Sequence, residues 1–397
     1  MDNRTPPISL PLASLPLAVM VVLFGLGTAL LNLGGGLLVL VLLAAAAVAA
    51  GIASRRGSGW ESVQRSTGEK LAAALHAILI ILSIGMLIGT WVASGTIPLL
   101  VYYGLHVVDP AYLVVTAFLS TAAMSLCTGT SWGSAGTIGV ALMGMAAAAG
   151  APLGPTAGAV VSGAYFGDKL SPLSDSTNIC AIGAGAQLYD HIRHMLYTAV
   201  PSTVVAIIVY LMVAPPPSGQ QVASQDLLAD LEQIYSLSPW ALAPVIVVLA
   251  GILLRVPPVV AMTFSSVAAA ITAVGLQGFT LQTALSSAVG GFDVTMVADK
   301  GLADERWNSV TITLLNRGGL ESMAGTLLVI LAAFLLAGAM DVSGALDRLI
   351  GALLSSARST LGLISATMAA GAVMISLTSH GGVTALVIGD LFQKAFD

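Results

Sequence analysis

The chain has 397 residues, of which 57% are hydrophobic and 8% charged, with a formal net charge of −5. A soluble domain carries roughly a quarter of its residues as charges, so a water-soluble fold of this length could not cover its surface with so few. The charge is spread without a basic stripe, which excludes nucleic acid as a partner, and the two cysteines, Cys127 and Cys180, fit neither a zinc spacing nor a disulfide framework.

A helix needs about 20 apolar residues to cross the hydrocarbon core. In chain order, runs of that kind fall at 13–31, 36–53, 71–93, 195–213, 240–254, 258–274, 327–340 and 361–377. The first run follows Arg4, but it is long for a secretory signal and a second run follows at once, so it reads as one arm of a membrane hairpin. Between 111 and 150, and again from 156 to 181, the chain is apolar but interrupted by Gly, Ser, Thr, Pro and Asp, the pattern of broken or re-entrant helices. The fold class expected is an all-α integral membrane protein of about 10–12 spans.

The connection 54–70 holds Arg55, Arg56, Arg65 and Lys70, whereas 94–110 and the polar loop 215–239 hold no Lys or Arg. The positive-inside rule makes the first cytoplasmic and the other two external, with the N-terminus inside and the plasma membrane as the expected location. Trp91 and Trp240, at span ends beside external loops, read as interfacial anchors.

An internal similarity links the stretch around Gly89, Ser94 and Gly95 to that around Gly338, Ser343 and Gly344, and Met124-Ser125-Leu126 to Ile375-Ser376-Leu377, at an offset of about 250 residues. The connection after the first copy is uncharged, whereas Arg348 and Arg358 follow the second, so the copies are oppositely oriented. Inverted repeats of broken helices are a transporter architecture, with the site near the midplane where the halves meet. The organisation expected is an N-terminal hairpin and cytoplasmic loop at 1–70, a first repeat at 71–214, an external loop and connecting helices at 215–319, and a second repeat at 320–397.

The densest chemistry lies at 163–178, where Asp168, Lys169, Ser171, Ser174, Asp175, Ser176, Thr177 and Asn178 interrupt apolar sequence. An ionisable group at membrane depth costs about 3 kcal/mol unless paired or hydrated. Carboxylate, hydroxyl, amide and freed carbonyl oxygens are the ligands of a hard cation such as Na⁺. The segment therefore reads as a cation site with Asp168 or Asp175 as its charge and Ser174, Thr177 and Asn178 as further ligands. The competing reading is a polar loop outside the membrane with Lys169 paired to a neighbouring aspartate. A second stretch, Thr128 to Thr137, is rich in hydroxyls and glycine without charge. It reads either as an unwound helix in which Thr128, Thr130 and Ser131 offer oxygens, or as a packing face built on Gly129 and Gly133.

These two segments, together with Tyr189–Pro201 and Asn316–Met323, resemble the NhaC family of Na⁺/H⁺ antiporters, which includes Na⁺-coupled malate/lactate exchangers. The resemblance runs from about Leu71 onward, with the four motifs in family order. It implies a secondary active transporter, not an enzyme, in which Na⁺ and H⁺ compete for a midplane carboxylate, or else an exchanger of small organic acids. Transported ions take the place of any cofactor, and lipid is the other partner, with a homo-oligomer as one arrangement. It also implies a second polar motif after the second repeat. The counterpart of Asp168 would fall at about 418, past Asp397, so the C-terminus is expected to be shortened.

Other residues carry weaker signals. His380 and Thr378 fall in the second copy near the place of Thr128 and Thr130 in the first, as a second-lobe site. Arg317 and Glu321, four apart, read as a helical pair or as a charge gate. His191 and His194 read as a solvated face or a pH-sensing pair, His76 as hydrogen-bonded to another helix, and Asp341 as solvated at a span end. Phe166-Gly167-Asp168 and Tyr189-Asp190 superficially match the paired motifs of intramembrane aspartyl proteases, but in reversed order and only 22 residues apart.

Overall fold

A computed structural model describes residues 8–31, 36–172, 174–213, 220–254, 256–302, 307–355 and 360–378, with 384 and 388. Among these residues the fold is helical, and the one β feature is an isolated antiparallel bridge between Phe292 and Arg317. Among the described residues, eight helices are long and apolar enough to cross a bilayer: Leu10–Gly27, Leu37–Arg55, Ala74–Ala93, Pro110–Thr128, Ser131–Ala149, Leu188–Met212, Pro258–Gly275 and Leu320–Val342. A ninth arises if Asp226–Ile234 and Pro239–Gly251, bent by 92°, form one span. The chain is thus an all-α, multi-pass membrane protein. The polar stretch 156–181 divides into Leu153–Leu170 and Asp175–Gly183, and Thr96–Val107 and Leu361–Ala372 are shorter apolar helices.

The chain forms two compact units. One comprises Met1–Ile78, Ile179–Ala186 and Ala324–Asp397, and the other Leu79–Asn178 and Gln187–Met323. In the first, Ala45, Ala46, Ala49 and Ala53 on helix Gly36–Arg55 pack with Ala332, Ala337 and Ala339 on helix Ala324–Val342. Small residues let such helices approach closely, since lipid supplies no hydrophobic drive for association. A Cβ on Gly338 would lie 2.8 Å from the Thr67 amide nitrogen. Asp341 is not merely solvated: it accepts from Ser66 at 2.7 Å and pairs with Lys70 at 3.4 Å, tying the end of helix 324–342 to helix Trp60–Ala93.

The second unit contains the sequence interruptions. Helix Leu113–Thr128 ends on Gly129, which adopts φ 67° as a left-handed cap. Thr130 then caps the next helix, its Oγ1 accepting from the Gly133 amide at 3.2 Å. That helix, Ser131–Ala149, contains a π-helical turn at Ala135–Gly139. Helix Leu153–Leu170 lies along helix 113–128 with almost no space between the backbones. A Cβ on Gly163 would be 2.4 Å from the Phe118 carbonyl oxygen, and one on Gly167 would be 2.3 Å from that of Ala122. Ser125 Oγ donates to the Ala164 carbonyl across this seam at 2.6 Å. The four-residue glycine spacing that brings helices together is therefore Gly163–Gly167. Gly133, by contrast, would meet only the Thr130 side chain of its own turn.

Two expectations change here. The polar stretch 215–239 contains a helix, Gln220–Ile234, whose Leu227, Leu231 and Ile234 recur at i, i+4 and i+7 and are fully buried. Its Asp230 accepts from the Asn308 amide at 3.0 Å and the Thr311 hydroxyl at 2.5 Å, at the N-terminus of helix Ser309–Leu315, where negative charge is favoured. Lys300 donates to the Ile234 carbonyl at the other end of 220–234 and lies 4.9 Å from the Phe279 ring centroid. Trp91 is 2% exposed rather than an interfacial anchor, because its indole N–H finds a partner inside, Ser265 Oγ at 3.0 Å.

Gly167→Ala is expected to destabilise the protein by about 1–3 kcal/mol, because the new methyl meets backbone that cannot turn away. Gly158→Ala, where a Cβ meets nothing within 4 Å, should stabilise by about 0.5–1 kcal/mol. Thermal unfolding of the two variants in detergent checks the contrast. A second expectation concerns Asp299, whose carboxyl is held below the usual range by the Thr283 hydroxyl and the Thr280 amide, with partial desolvation opposing. A depressed folded-state pKa contributes stability at neutral pH that is lost as pH falls through that pKa. Asp299→Asn should therefore lower the melting temperature at pH 7, by an amount that begins to shrink at about pH 4 and is lost only below the depressed folded-state pKa.

Candidate ion-binding site

Asp168 sits in the last turn of helix 153–170, one residue beyond Gly167, so the glycine seam fixes its position. Only 5% of it is exposed. The chain leaves the helix at Ser171 and, after Pro172, enters helix Asp175–Gly183. Pro172 has no amide hydrogen to continue the helical ladder, which accounts for a break at this point.

Asp168 Oδ2 accepts from Ser131 Oγ at 3.2 Å and from Ser176 Oγ at 3.1 Å. Ser131 opens helix 131–149 and Ser176 lies in the first turn of helix 175–183. The carboxylate thus meets the starting turns of two helices, where backbone dipoles favour negative charge. Behind Ser176, the Ser174 hydroxyl lies 3.0 Å away and is itself fully buried. Among the described residues, Oδ1 takes no hydrogen bond and no cationic side chain reaches the carboxylate. Lys169, next in sequence, is exposed and makes no ion pair there.

The remaining residues of the motif hold the turn. Thr177 Oγ1 donates to the carbonyls of Asp168 and Lys169, both at 3.1 Å. Asn178 Nδ2 donates to the carbonyls of Ser174 at 2.7 Å and Pro172 at 3.2 Å. Thr130 is occupied as a helix cap, and Thr128 Oγ1 lies 3.2 Å from Ser134 Oγ. The structure therefore gathers Asp168, Ser131, Ser174 and Ser176 and uses Thr130, Thr177 and Asn178 as the frame around them. Ser176 is the residue that sequence reasoning passed over. Its signal was its place in the first turn after the Pro172 break, which lets its hydroxyl point back toward Asp168. Asp175 begins helix 175–183 and Thr378 ends helix Thr360–Thr378; their side chains, and His380 altogether, lie outside the described residues.

Arg317 and Glu321 do not form a helical pair, because helix 309–315 ends before them and Arg317 bridges Phe292 in extended conformation. Gly318 and Gly319 follow with φ 83° and 84°. A Cβ on Gly318 would lie 2.2 Å from the Gly89 nitrogen, so only glycine permits this crossing. Arg317 Nη2 donates to the Thr313 carbonyl at 2.7 Å, while its Nε is buried without a partner among the described residues. Asp293, in the facing break, accepts from Thr295 at 2.6 Å and from Asn316 at 2.9 Å. His76 and His194 are exposed on their helices.

Buried oxygens converging on one acid at paired helix breaks define a site suited to a small cation within a membrane protein. The family model for the Na⁺/H⁺ antiporter family matches residues 163–397. An uncharacterised Na⁺/H⁺ antiporter of Haemophilus influenzae is 42% identical over 96% of this chain and 81% of its own length. The Na⁺/H⁺ antiporter NhaC of Bacillus subtilis is 32% identical over 85% of this chain and 73% of its own. The malate-2H⁺/Na⁺-lactate antiporter of Bacillus subtilis is 34% identical over 74% of this chain and 61% of its own. No solved structure matches. The chain belongs to the Na⁺/H⁺ antiporter family.

The division between ligands and frame is testable. Ser176→Ala is expected to weaken Na⁺ protection against thermal unfolding by about five- to tenfold in half-saturating concentration, the loss of one hydrogen-bonding oxygen on a charge. Asn178→Ala should lower the melting temperature while leaving that concentration within about twofold.

Proposed function

We propose that the protein exchanges Na⁺ for H⁺ by letting the two compete for the Asp168 carboxylate. The observation that carries this is a nearly buried acid whose described partners are hydroxyls alone. An uncompensated charge in a low-dielectric interior is strongly disfavoured. Such a carboxylate is stable either with a proton on it or with a cation beside it, and one site that holds either but not both is enough to couple opposite fluxes. The hydroxyls suit both states. Ser131 and Ser176 donate to the free carboxylate, and each keeps lone pairs that a Na⁺ at the open Oδ1 side could draw on. The reading places the competition in the cell membrane with the N-terminus cytoplasmic, which the positive charge of Arg55, Arg56, Arg65 and Lys70 supports.

A second reading, exchange of a small organic acid with Na⁺ and H⁺, is favoured by Arg317, whose buried Nε lacks a partner among the described residues, and by the similarity to the malate/lactate antiporter. A guanidinium with unused donors is suited to a carboxylate.

Reconstituted into liposomes with an internal pH dye, the protein should alkalinise or acidify the lumen according to the direction of an imposed Na⁺ gradient. Asp168→Asn should reduce that flux by roughly a hundredfold or more, and Lys169→Gln should leave it within about threefold. Unchanged Na⁺-driven proton flux in the Asp168 variant would refute the site. Flux that appears only when lactate or malate is added would select the second reading.

A further inference from the structure

The Asp168 site leaves a set of buried hydroxyls without a role. On helix 113–128, Thr121, Ser125 and Thr128 recur at i, i+4 and i+7, which places them on one stripe. Thr121 and Ser125 are fully buried. On helix 131–149, Ser134 and Thr137 form a second pair three residues apart, at 0% and 2% exposure. The two stripes join where Thr128 Oγ1 and Ser134 Oγ lie 3.2 Å apart, three residues from the serine that touches Asp168.

Most of these hydroxyls are accounted for locally. Ser125 donates to Ala164, Ser134 to the Thr130 carbonyl at 2.8 Å, and Thr137 to the Gly133 carbonyl at 2.7 Å. Thr121 differs. A helical threonine commonly turns its hydroxyl back to the carbonyl one turn earlier, as Thr137 does, yet Thr121 Oγ1 is buried with no hydrogen-bond partner among the described residues. A buried polar group is costly unless something bonds to it, and a buried water is what commonly bonds to such a group. The stripe carries no charge, so a cation could move along it without being held there.

We propose that Thr121 and Thr128 line the path by which water and a partly dehydrated Na⁺ reach Asp168, with Thr121 as a transient oxygen ligand on the way and Ser125 closing the seam beside it. This rests on the reading of Asp168 as the ion site, and the test separates the two.

In a background with Cys127 and Cys180 replaced by serine, Thr121→Cys is exposed in proteoliposomes to 2-aminoethyl methanethiosulfonate, a small cationic thiol reagent. Labelling is expected, and saturating Na⁺ should slow it at least about fivefold, which RT converts to about 1 kcal/mol of protection. Adding Asp168→Asn should abolish the protection but not the labelling. Thr121→Val should cut the maximal flux by about tenfold with the apparent Na⁺ affinity within about twofold, and Thr121→Ser should restore it. A thiol at 121 that is inert with and without Na⁺ overturns the path, as does wild-type flux in Thr121→Val. Na⁺-protected labelling alongside intact flux in Asp168→Asn would keep the path and remove Asp168 as its end. Should Thr121→Val fail to fold, the labelling of Thr121→Cys decides alone.

Discussion

The contact on which the site depends is the backbone seam between helices 113–128 and 153–170. At Gly163 and Gly167 no atom heavier than hydrogen stands between one helix and the carbonyls of the other. Asp168 follows Gly167 directly, so its depth and direction are set by a contact that has no side-chain freedom in it. The same helix 113–128 that receives the glycines ends on Gly129 and delivers the chain to Ser131. One rigid pair of helices therefore places both the acid and the first hydroxyl that touches it. A rotation of either helix by a fraction of a turn would separate them, because a helical residue advances about 100° per position.

Against that frame the charges divide into two kinds. Asp341 has Lys70 and Ser66, Asp230 has the start of helix 309–315, and Asp299 has two threonines. Each of these carboxylates is held by donors that also tie elements together, so its charge is part of the scaffold. Asp168 is held by two serine hydroxyls on short turns. A hydroxyl can reverse its role from donor to acceptor by rotating one bond, whereas an ammonium or a backbone amide cannot. The surroundings of Asp168 are thus able to follow a change in its charge without rebuilding the fold, as the exchange proposed for it would need.

Much of this was legible in the sequence, because membrane depth makes polar residues conspicuous. The apolar runs mark the spans, and the clusters of Gly, Ser, Thr and Pro near 129 and 172 mark helix breaks on both sides of the site. What could not be read was direction. Thr177 and Asn178 stand beside Ser176 in sequence, but after the break the helix turns them onto carbonyls and turns Ser176 onto the acid. Two glycine pairs share the same spacing, and only the neighbouring helix decides that Gly163–Gly167 packs while Gly129 serves as a cap. The stripe Leu227, Leu231, Ile234 was visible as a helical period inside a segment dominated by its acids. Trp91 turned inward because a buried hydroxyl was available for its N–H, a fact about Ser265 that no local pattern contains.

The second broken region of the same unit is built by different means, and the difference bears on how the first can work. Around Asp168 the breaks are capped by hydroxyls, which tolerate rearrangement. At 290–293 and 316–319 they are closed by glycines in the left-handed region, a two-way backbone bridge between Phe292 and Arg317, and a 2.7 Å bond from the Gly319 amide to the Gly85 carbonyl. These are contacts between backbones, with little room to adjust. Helix 309–315, anchored by that crossing, carries Leu314 to within 3.2 Å of where a Cβ on Gly144 would stand, on the helix that begins with Ser131. The stiff crossing therefore braces the far part of helix 131–149, beyond the π-helical turn at 135–139. π-Turns place a locally weakened hydrogen-bond ladder inside a helix and recur at functional sites. Here the π-turn lies between that braced part and Ser131, the residue that reaches Asp168.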